Sequence, residues 1–477
     1  MLLALWDTEI NLEEERWKIM FNPVKALINK IRYLNRVILS IEKKEDNIIS
    51  VLSRLMKNLE VFGDELEHID AILNRSERKL EELDEIYYKV DRLYEHDRIN
   101  NTYFNMEYLL IKNDPQKKIL LAGFYGAINL GDELMMRKVY NDLNSDNIYV
   151  LMSDNPELNV FDYPGINILH YPKTKFDYNY LARQFDCLVF GGGAIIDDYE
   201  YSSIDSFKYD MGKIFIELSS SFIKSGKAVY SLGLSVNESL SNSDYISKLK
   251  SVVDGSKFFS VRDHYSVNVL RKYVDGNIRL INDIVMTYDI PVNKERNSNY
   301  VIGIIWICID EEKEHLLKLL STIKEVYERE KIEIRFVPFY NYYNCDQKYY
   351  QSIVAQFDCS GLNICDMPKD FNEACSLIGS CDLVISMRYH GALLAFMNGC
   401  KTIGYLMGKH RHYYNKMTGL FERYNCKEDL FVSIDELCRS FRQNKTVNPL
   451  IKQPNFDNSE YYQAINEIHS FFAQNMR

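Results

Sequence analysis

From residue 117 onward, short apolar runs alternate with stretches of helical spacing, and several runs break off into glycine or charge. Buried parallel strands read this way, because helices cover both faces of the sheet and leave no polar side to alternate with. The fold class implied is α/β. Candidate strands are 118–123, 147–152, 166–170, 186–190, 227–233, 257–261 and 278–281. A polar, irregular segment, 290–299, then reads as a linker. A second series comes next at 300–309, 332–339, 362–366, 382–386 and 401–406. The expected division is a first domain over 115–295, a second over 296–445, and a tail, 446–477, ending in an amphipathic helix that could return to the first domain.

Residues 1–114 differ in kind. They contain one proline, Pro23, and one glycine, Gly63. Apolar residues fall at alternating steps of three and four: Val24, Leu27, Ile31, Leu34, Ile38, Ile41, then Ile48, Leu52, Leu55, Leu59, Phe62, Leu66, Ile69, Leu73, and finally Leu80, Leu83, Tyr87, Val90 and Tyr94. A register kept this long predicts a coiled coil. Unbroken, it would extend about 105 Å at ~1.5 Å per residue. A bend near Lys43–Asn47 or Ser76 would give a helical hairpin instead. The seam must be buried, and the leading expectation is self-association into a homo-oligomer. Packing on the rest of the chain or on a separate partner is the alternative.

Ligands of open α/β sheets bind outside the carboxyl ends of the strands, so the residues at those ends come next. CDLVISMRYHG (381–391) ends an apolar run in Ser386, Arg388 and His390, followed by Gly391. Arginine and histidine there could serve an anion and a proton transfer; they could equally be an arginine paired with a carboxylate and a histidine bonded to backbone. KKILLAGFYGAINLGDE (117–133) places Gly123, Gly126 and Gly131 between a strand and a helix start, where backbone N–H groups and a positive dipole end face a ligand. It is neither a Walker loop nor a dinucleotide fingerprint, since the glycine spacing differs from both. FDCLVFGGGAIIDD (185–198) repeats the design, with Gly191, Gly192 and Gly193 expected to follow the strand as a close-approach loop or a tight turn. Asp132 and Glu133 end the first loop, and Asp197 and Asp198 the second. Capping is the simpler reading for Glu133 and Asp198; Asp132 could instead accept a hydrogen bond or proton from a ligand, and Asn129 could orient the loop or contact an acceptor.

Composition excludes some functions. The net charge of −11 argues against a general nucleic-acid binder. All ten cysteines fall at or after Cys187 without a C-x-x-C pair, which suggests reduced, buried thiols and no zinc site. The opening MLLALWDTEINLEEE does not read as a signal peptide, and no stretch has the ~18–20 apolar residues of a membrane span. A cytoplasmic location without direct membrane insertion, and no metal or cofactor, are the expectations.

Taken together, GFYGAINLGDE, VFGGGAIIDD, FSVRDHYSVNVLRK, NDIVM and VISMRYHGALLA, in this order over about residues 117–440, resemble the polysaccharide pyruvyltransferase family. The resemblance implies two Rossmann-like domains in a GT-B-like arrangement. It also implies transfer of a pyruvyl group from phosphoenolpyruvate, as co-substrate, to a sugar of a cell-surface polysaccharide or its precursor. On this reading Arg262, Arg388, His390 and Ser386 surround the donor. Independently of the resemblance, GKHRHYYNKM (408–417) gathers Lys409, His410, Arg411, His412 and Lys416 just beyond a strand and could complete a phosphate site, with Lys409 as the donor contact; a solvated charged loop is the alternative. Arg388 and His390 are the expected catalytic pair. The structural alternative for Arg262 is a salt bridge to Asp263 or a nearby helix. Gly126, Asn129, Gly131, Asp132, Gly192 and Gly193 would lie on the acceptor side. Two other readings stay open: a glycosyltransferase of the same fold using a nucleotide sugar, and a non-catalytic oligomeric scaffold or sensor.

Overall fold

A computed structural model describes residues 108, 111, 116–153, 165–172, 175–198, 211–237, 240–291, 299–309, 312–328, 331–341, 346–357, 361–406, 411–443 and 457–473. The chain divides into two units, 1–101 and 102–477. The heptad-like series, the start of the tail and Lys409 lie outside the described residues. All the described residues belong to the second unit, which carries two parallel sheets.

Its first domain is a seven-stranded, wholly parallel sheet. The strands are β1 (Ile119–Ala122), β2 (Ile148–Met152), β3 (Asn167–His170), β4 (Cys187–Ile196), β5 (Ala228–Val236), β6 (Phe258–Val261) and β7 (Arg279–Leu280), in the order β3-β2-β1-β4-β5-β6-β7. Helices α1 (Leu130–Leu143), α2 (Lys175–Gln184), α3 (Met211–Lys224), α4 (Ser243–Gly255) and α5 (His264–Leu270) alternate with them. The second domain is a six-stranded parallel sheet of β8 (Tyr300–Ile305), β9 (Ile332–Phe336), β10 (Leu362–Ile364), β11 (Leu383–Ser386), β12 (Lys401–Tyr405) and β13 (Leu430–Phe431), in the order β10-β9-β8-β11-β12-β13. Its helices are α6 (Lys313–Val326), α7 (Asp346–Val354), α8 (Phe371–Gly379), α9 (Tyr389–Met397), α10 (Arg411–Arg423) and α11 (Ile434–Gln443). Both orders start in the middle, run outward and then reverse, so each sheet has a crevice at its switch point: between β1 and β4, and between β8 and β11.

The residues of β1, β2, β5, β6 and β11 are buried throughout, which explains why their sequences are apolar apart from small serines and a glycine. α1 lays Leu134, Met135, Val139 and Leu143 on the first sheet. The last helix, α12 (Ser459–Ala473), comes back to the first domain: it buries Tyr461, Ala464, Ile465 and Ile468, and Tyr461 Oη donates to Asp142 at the end of α1 at 2.8 Å. Among the described residues no helix is long and apolar enough to cross a membrane.

Two local expectations need correction. The glycine triplet is not a loop after a strand. β4 runs through Gly191, Gly192 and Gly193 to Ile196, with a shift of register against β5 past Gly193. The reason is space: the Tyr125 hydroxyl donates to Gly191 O, and a Cβ at Gly192 would stand 2.5 Å from Met135 Sδ. Gly192 and Gly193 also hold φ of 86° and 98°, which side-chain-bearing residues rarely adopt. The run 300–309, by contrast, is strand only to Ile305.

The two domains meet backbone to backbone. Leu130 N–H donates to Phe339 O at 2.9 Å and Asn341 N–H to Ile128 O at 3.1 Å, around a bridge between Asn129 and Tyr340. Ile128 takes φ 52°, a costly conformation for a β-branched residue. The hydrogen bonds from 339–341 hold it there.

Candidate functional site

The glycine loop after β1 is tied down from inside. Glu133, in the first turn of α1 and fully buried, turns its carboxylate back to accept the Gly126 N–H at 2.8 Å. Gly126 adopts φ 75° and its carbonyl accepts from Ser153 Oγ. Glu133 therefore does cap-like work on the loop, while Asn129, the N-cap residue, makes no side-chain cap bond. Gly126 and Asn129 shape the loop and its contact with the second domain.

This loop delivers Gly131 and Asp132 to the crevice. A Cβ on Gly131 would overlap the imidazole of His390, at the start of α9 in the second domain. Only glycine lets the two helix starts come so close. Asp132 is 7% exposed and accepts no hydrogen bond among the described residues; its Oδ1 lies toward Gly193. Burial raises its pKa to about 6, offset in part by His390 and Arg262. A carboxyl that titrates near neutrality without a fixed partner is able to take or give a proton.

Arg262 follows β6 and is buried. Its Nη1 donates to Asp283 Oδ2 at 2.7 Å, lies 3.4 Å from His390 Nε2, and its guanidinium stacks over the Tyr389 ring at 4.8 Å. Its Nε is buried without a hydrogen-bond partner among the described residues. Its salt bridge goes to Asp283 and not to Asp263, which instead caps α5 through Ser266 N–H and accepts from Ser235 Oγ. Burial works against both charges of the Arg262–Asp283 pair. The two groups together with His390 overcome it, holding Asp283 well below the usual carboxylate range and Arg262 firmly charged. His390 Nε2 also lies 3.4 Å from Asp283 Oδ2, so it can donate to the carboxylate when protonated there and face the Arg262 N–H when not.

Asp283 was not among the residues singled out from the sequence, although NDIVM contains it. It opens a short 3-10 turn, Ile284–Thr287, and binds Val285 N–H through its other oxygen. Lys416, one of the cations of the GKHRHYYNKM segment, lies on α10 and is buried beside this cluster.

The other expected donor residues sit differently. Arg388 Nη2 donates to the fully buried carboxylate of Asp346 at 2.7 Å, and its guanidinium lies 5.5 Å from the Tyr340 ring. Asp346 also accepts from the N–H groups of Phe339 and Tyr340. Arg388 thus fastens the 339–341 segment, the part of the second domain that grips the first domain's loop. The side chain of Ser386 donates to Arg388 O at 2.8 Å and turns the chain from β11 into α9. Asp198 caps backbone N–H groups of Ser241 and Asn242, ahead of α4.

The cluster brings together Gly131, Asp132, Gly193, Arg262, Asp283, His390 and Lys416, from the carboxyl ends of β1, β4 and β6 facing those of the second sheet. An open groove of about 780 Å³ beside α12, lined by Tyr230, Tyr462 and Phe471 among others, contains none of them. Among the described residues no group of three His, Cys, Asp or Glu is arranged to hold a metal ion.

Comparison with known proteins agrees with this architecture. The model of the polysaccharide pyruvyl transferase family matches residues 129–406. No curated protein matches the sequence. Among solved structures, S. aureus MnaA in complex with UDP is 9% identical, with TM-score 0.50 over 76% of this chain and 98% of that one. The UDP-GlcNAc 2-epimerase of Methanocaldococcus jannaschii is 11% identical, with TM-score 0.47 over 74% of this chain and 100% of that one. Anabaena HepE in complex with UDP and glucose is 11% identical, with TM-score 0.44 over 75% of this chain and 100% of that one. At these identities the likeness concerns fold alone, which is GT-B-like.

Proposed function

The chain belongs to the polysaccharide pyruvyl transferase family, and from that premise we propose that it transfers a pyruvyl group from phosphoenolpyruvate to a sugar of a cell-surface polysaccharide or its precursor. The observation that carries the proposal is the buried contact of Arg262 and His390 across the two domains, with Asp283 beneath both and Asp132 beside them.

Ketal formation makes three demands. The methylene carbon of the enol must gain a proton, which leaves C2 cation-like. A sugar hydroxyl must add at C2 and lose its proton. The phosphate must leave with the electrons of its C2–O bond, after which a second hydroxyl closes the ketal and gives up its proton. In this reading His390, backed by Asp283, delivers the proton to the methylene. Asp132, with a pKa of about 6, takes the proton of the attacking hydroxyl. Arg262 sets the positive potential that draws in the phosphate and carboxylate. Arg388 holds the loop contact that keeps the two domains in register.

We further propose a cytoplasmic site of action, supported by the buried thiols Cys187, Cys381 and Cys426, and self-association through the N-terminal heptads, supported by their pattern. The test is titration calorimetry with phosphoenolpyruvate, with uridine diphosphate as control. Saturable phosphoenolpyruvate binding that His390→Ala and Arg262→Met weaken supports the proposal. Saturable uridine diphosphate binding without phosphoenolpyruvate binding sinks it in favour of a nucleotide-sugar donor.

A further inference from the structure

Lys416 belongs to α10 of the second domain, yet its ammonium donates to Asn237 Oδ1 at 2.9 Å, just past the end of β5 in the first. It is 5% exposed. An ammonium carries three N–H donors, and the bond to Asn237 is its only hydrogen bond or ion pair among the described residues. The acceptor is held in one orientation: Asn237 Nδ2 donates to Ala194 O at 3.0 Å and to Asp197 Oδ2 at 2.9 Å, which turns its oxygen to the lysine.

The charged groups that act on Lys416 are Arg262 after β6, Asp263 at the start of α5, Asp132 on α1 and Asp197 after β4. Burial first, and then Arg262, lower its pKa to about 7, against the pull of the three carboxylates. A buried ammonium with donors to spare, next to a buried arginine, is arranged for an oxyanion with several acceptor oxygens. It is poorly explained as a stability device, since burying a charge on a single neutral partner costs more than it returns.

We propose that Lys416 binds the phosphate of the phosphoenol donor and protonates it as it departs. This rests on phosphoenolpyruvate being the donor and assigns a residue within that site. The C2–O bond breaks, its electron pair goes to the phosphate oxygen, and a proton passes from the ammonium to that oxygen. The resulting amine recovers a proton from solvent once phosphate has left; no bond to lysine forms.

The experiment compares wild type with Lys416→Met and Lys416→Arg, using phosphoenolpyruvate and inorganic phosphate in calorimetry, phosphate release for turnover, and urea unfolding for integrity. Wild-type affinity should fall as pH rises through about 7, because the amine has no charge to offer. Methionine should weaken binding roughly tenfold or more and flatten that pH dependence, without loss of stability. Arginine should hold the anion at high pH and still lose turnover, since a guanidinium does not release its proton. Wild-type affinity and pH profile in Lys416→Met, or full turnover in Lys416→Arg, would overturn the proposal and leave the donor reading standing. Inorganic phosphate bound through Lys416 without phosphoenolpyruvate binding would keep the anion contact and remove the donor reading. Binding of neither ligand to wild type would remove both.

Discussion

The imidazole Nε2 of His390 lies 3.4 Å from Asp283 Oδ2, and the two residues come from different domains. Arg262 Nη1 shares that oxygen at 2.7 Å. One carboxylate thus orients both a cation from its own domain and a histidine from the facing one. This three-residue contact exists only when the domains are together.

Removing Arg262 alone strands a buried carboxylate. Arg262→Ala should cost about 3–5 kcal/mol in urea unfolding, and replacing both partners with leucine should cost much less. The pH dependence has a definite sign. Asp283 has a folded pKa below its unfolded one, so its contribution is present above about pH 4 and is lost as pH falls further. Arg262→Ala should remove most of that acid sensitivity.

Asp132 runs the other way. Its folded pKa, about 6, exceeds the unfolded value, so stability is greatest below about pH 4, declines as pH rises from there to about 6, and is level above that. Asp132→Asn should therefore stabilise the protein by about 1–3 kcal/mol at pH 8, have little effect at pH 4, and abolish transfer. Unfolding curves at the two pH values check this, and equal effects at both would refute the assignment.

Gly131 is in a helix, where alanine is ordinarily favoured by up to about 1 kcal/mol. Here the added methyl meets the His390 ring. Gly131→Ala should lower kcat/KM at least a hundredfold, because misplacement of about 1 Å has that order of effect. Gly226→Ala meets open space, although at positive φ, and should leave kcat/KM unchanged.

Arg388 and Asp346 form a second buried pair, 15% and 0% exposed. Arg388→Ala should destabilise by about 3–5 kcal/mol, and the double variant with Asp346→Ala by less than the sum of the two single changes. Strict additivity in the cycle would show that the pair is not coupled.

Much of the architecture is readable from the sequence because a buried parallel strand leaves a local trace. All twelve candidate strands are present, with ends shifted by a few residues; the two-residue β13 is too short to show a pattern. The glycine triplet misleads for a physical reason: glycine usually ends a strand, and only the bulk of Tyr125 and Met135 on the neighbouring face explains why β4 continues through it.

The site is partly legible. Strand ends and glycine loops point to Gly131, Asp132, Arg262 and His390, which do converge. Ser386 and Arg388 are equally prominent and instead shape the β11–α9 turn and the Asp346 contact. Asp283 gives little signal, since a lone aspartate in NDIVM is common on solvated surfaces; Lys416 is legible only as one of several cations in GKHRHYYNKM, with nothing local to separate it from its neighbours.

The sequence alone determined the period of each element, the α/β class and the places where side chains had to be absent, because these depend on neighbours a few residues apart. Tertiary structure decided which charge meets which: Arg262 with Asp283 and not its neighbour Asp263, His390 against Gly131, Lys416 on Asn237. Those pairings depend on strand order and on the approach of two domains. Coulomb attraction and burial act through space, and the local pattern of a chain does not record which distant residues will share it.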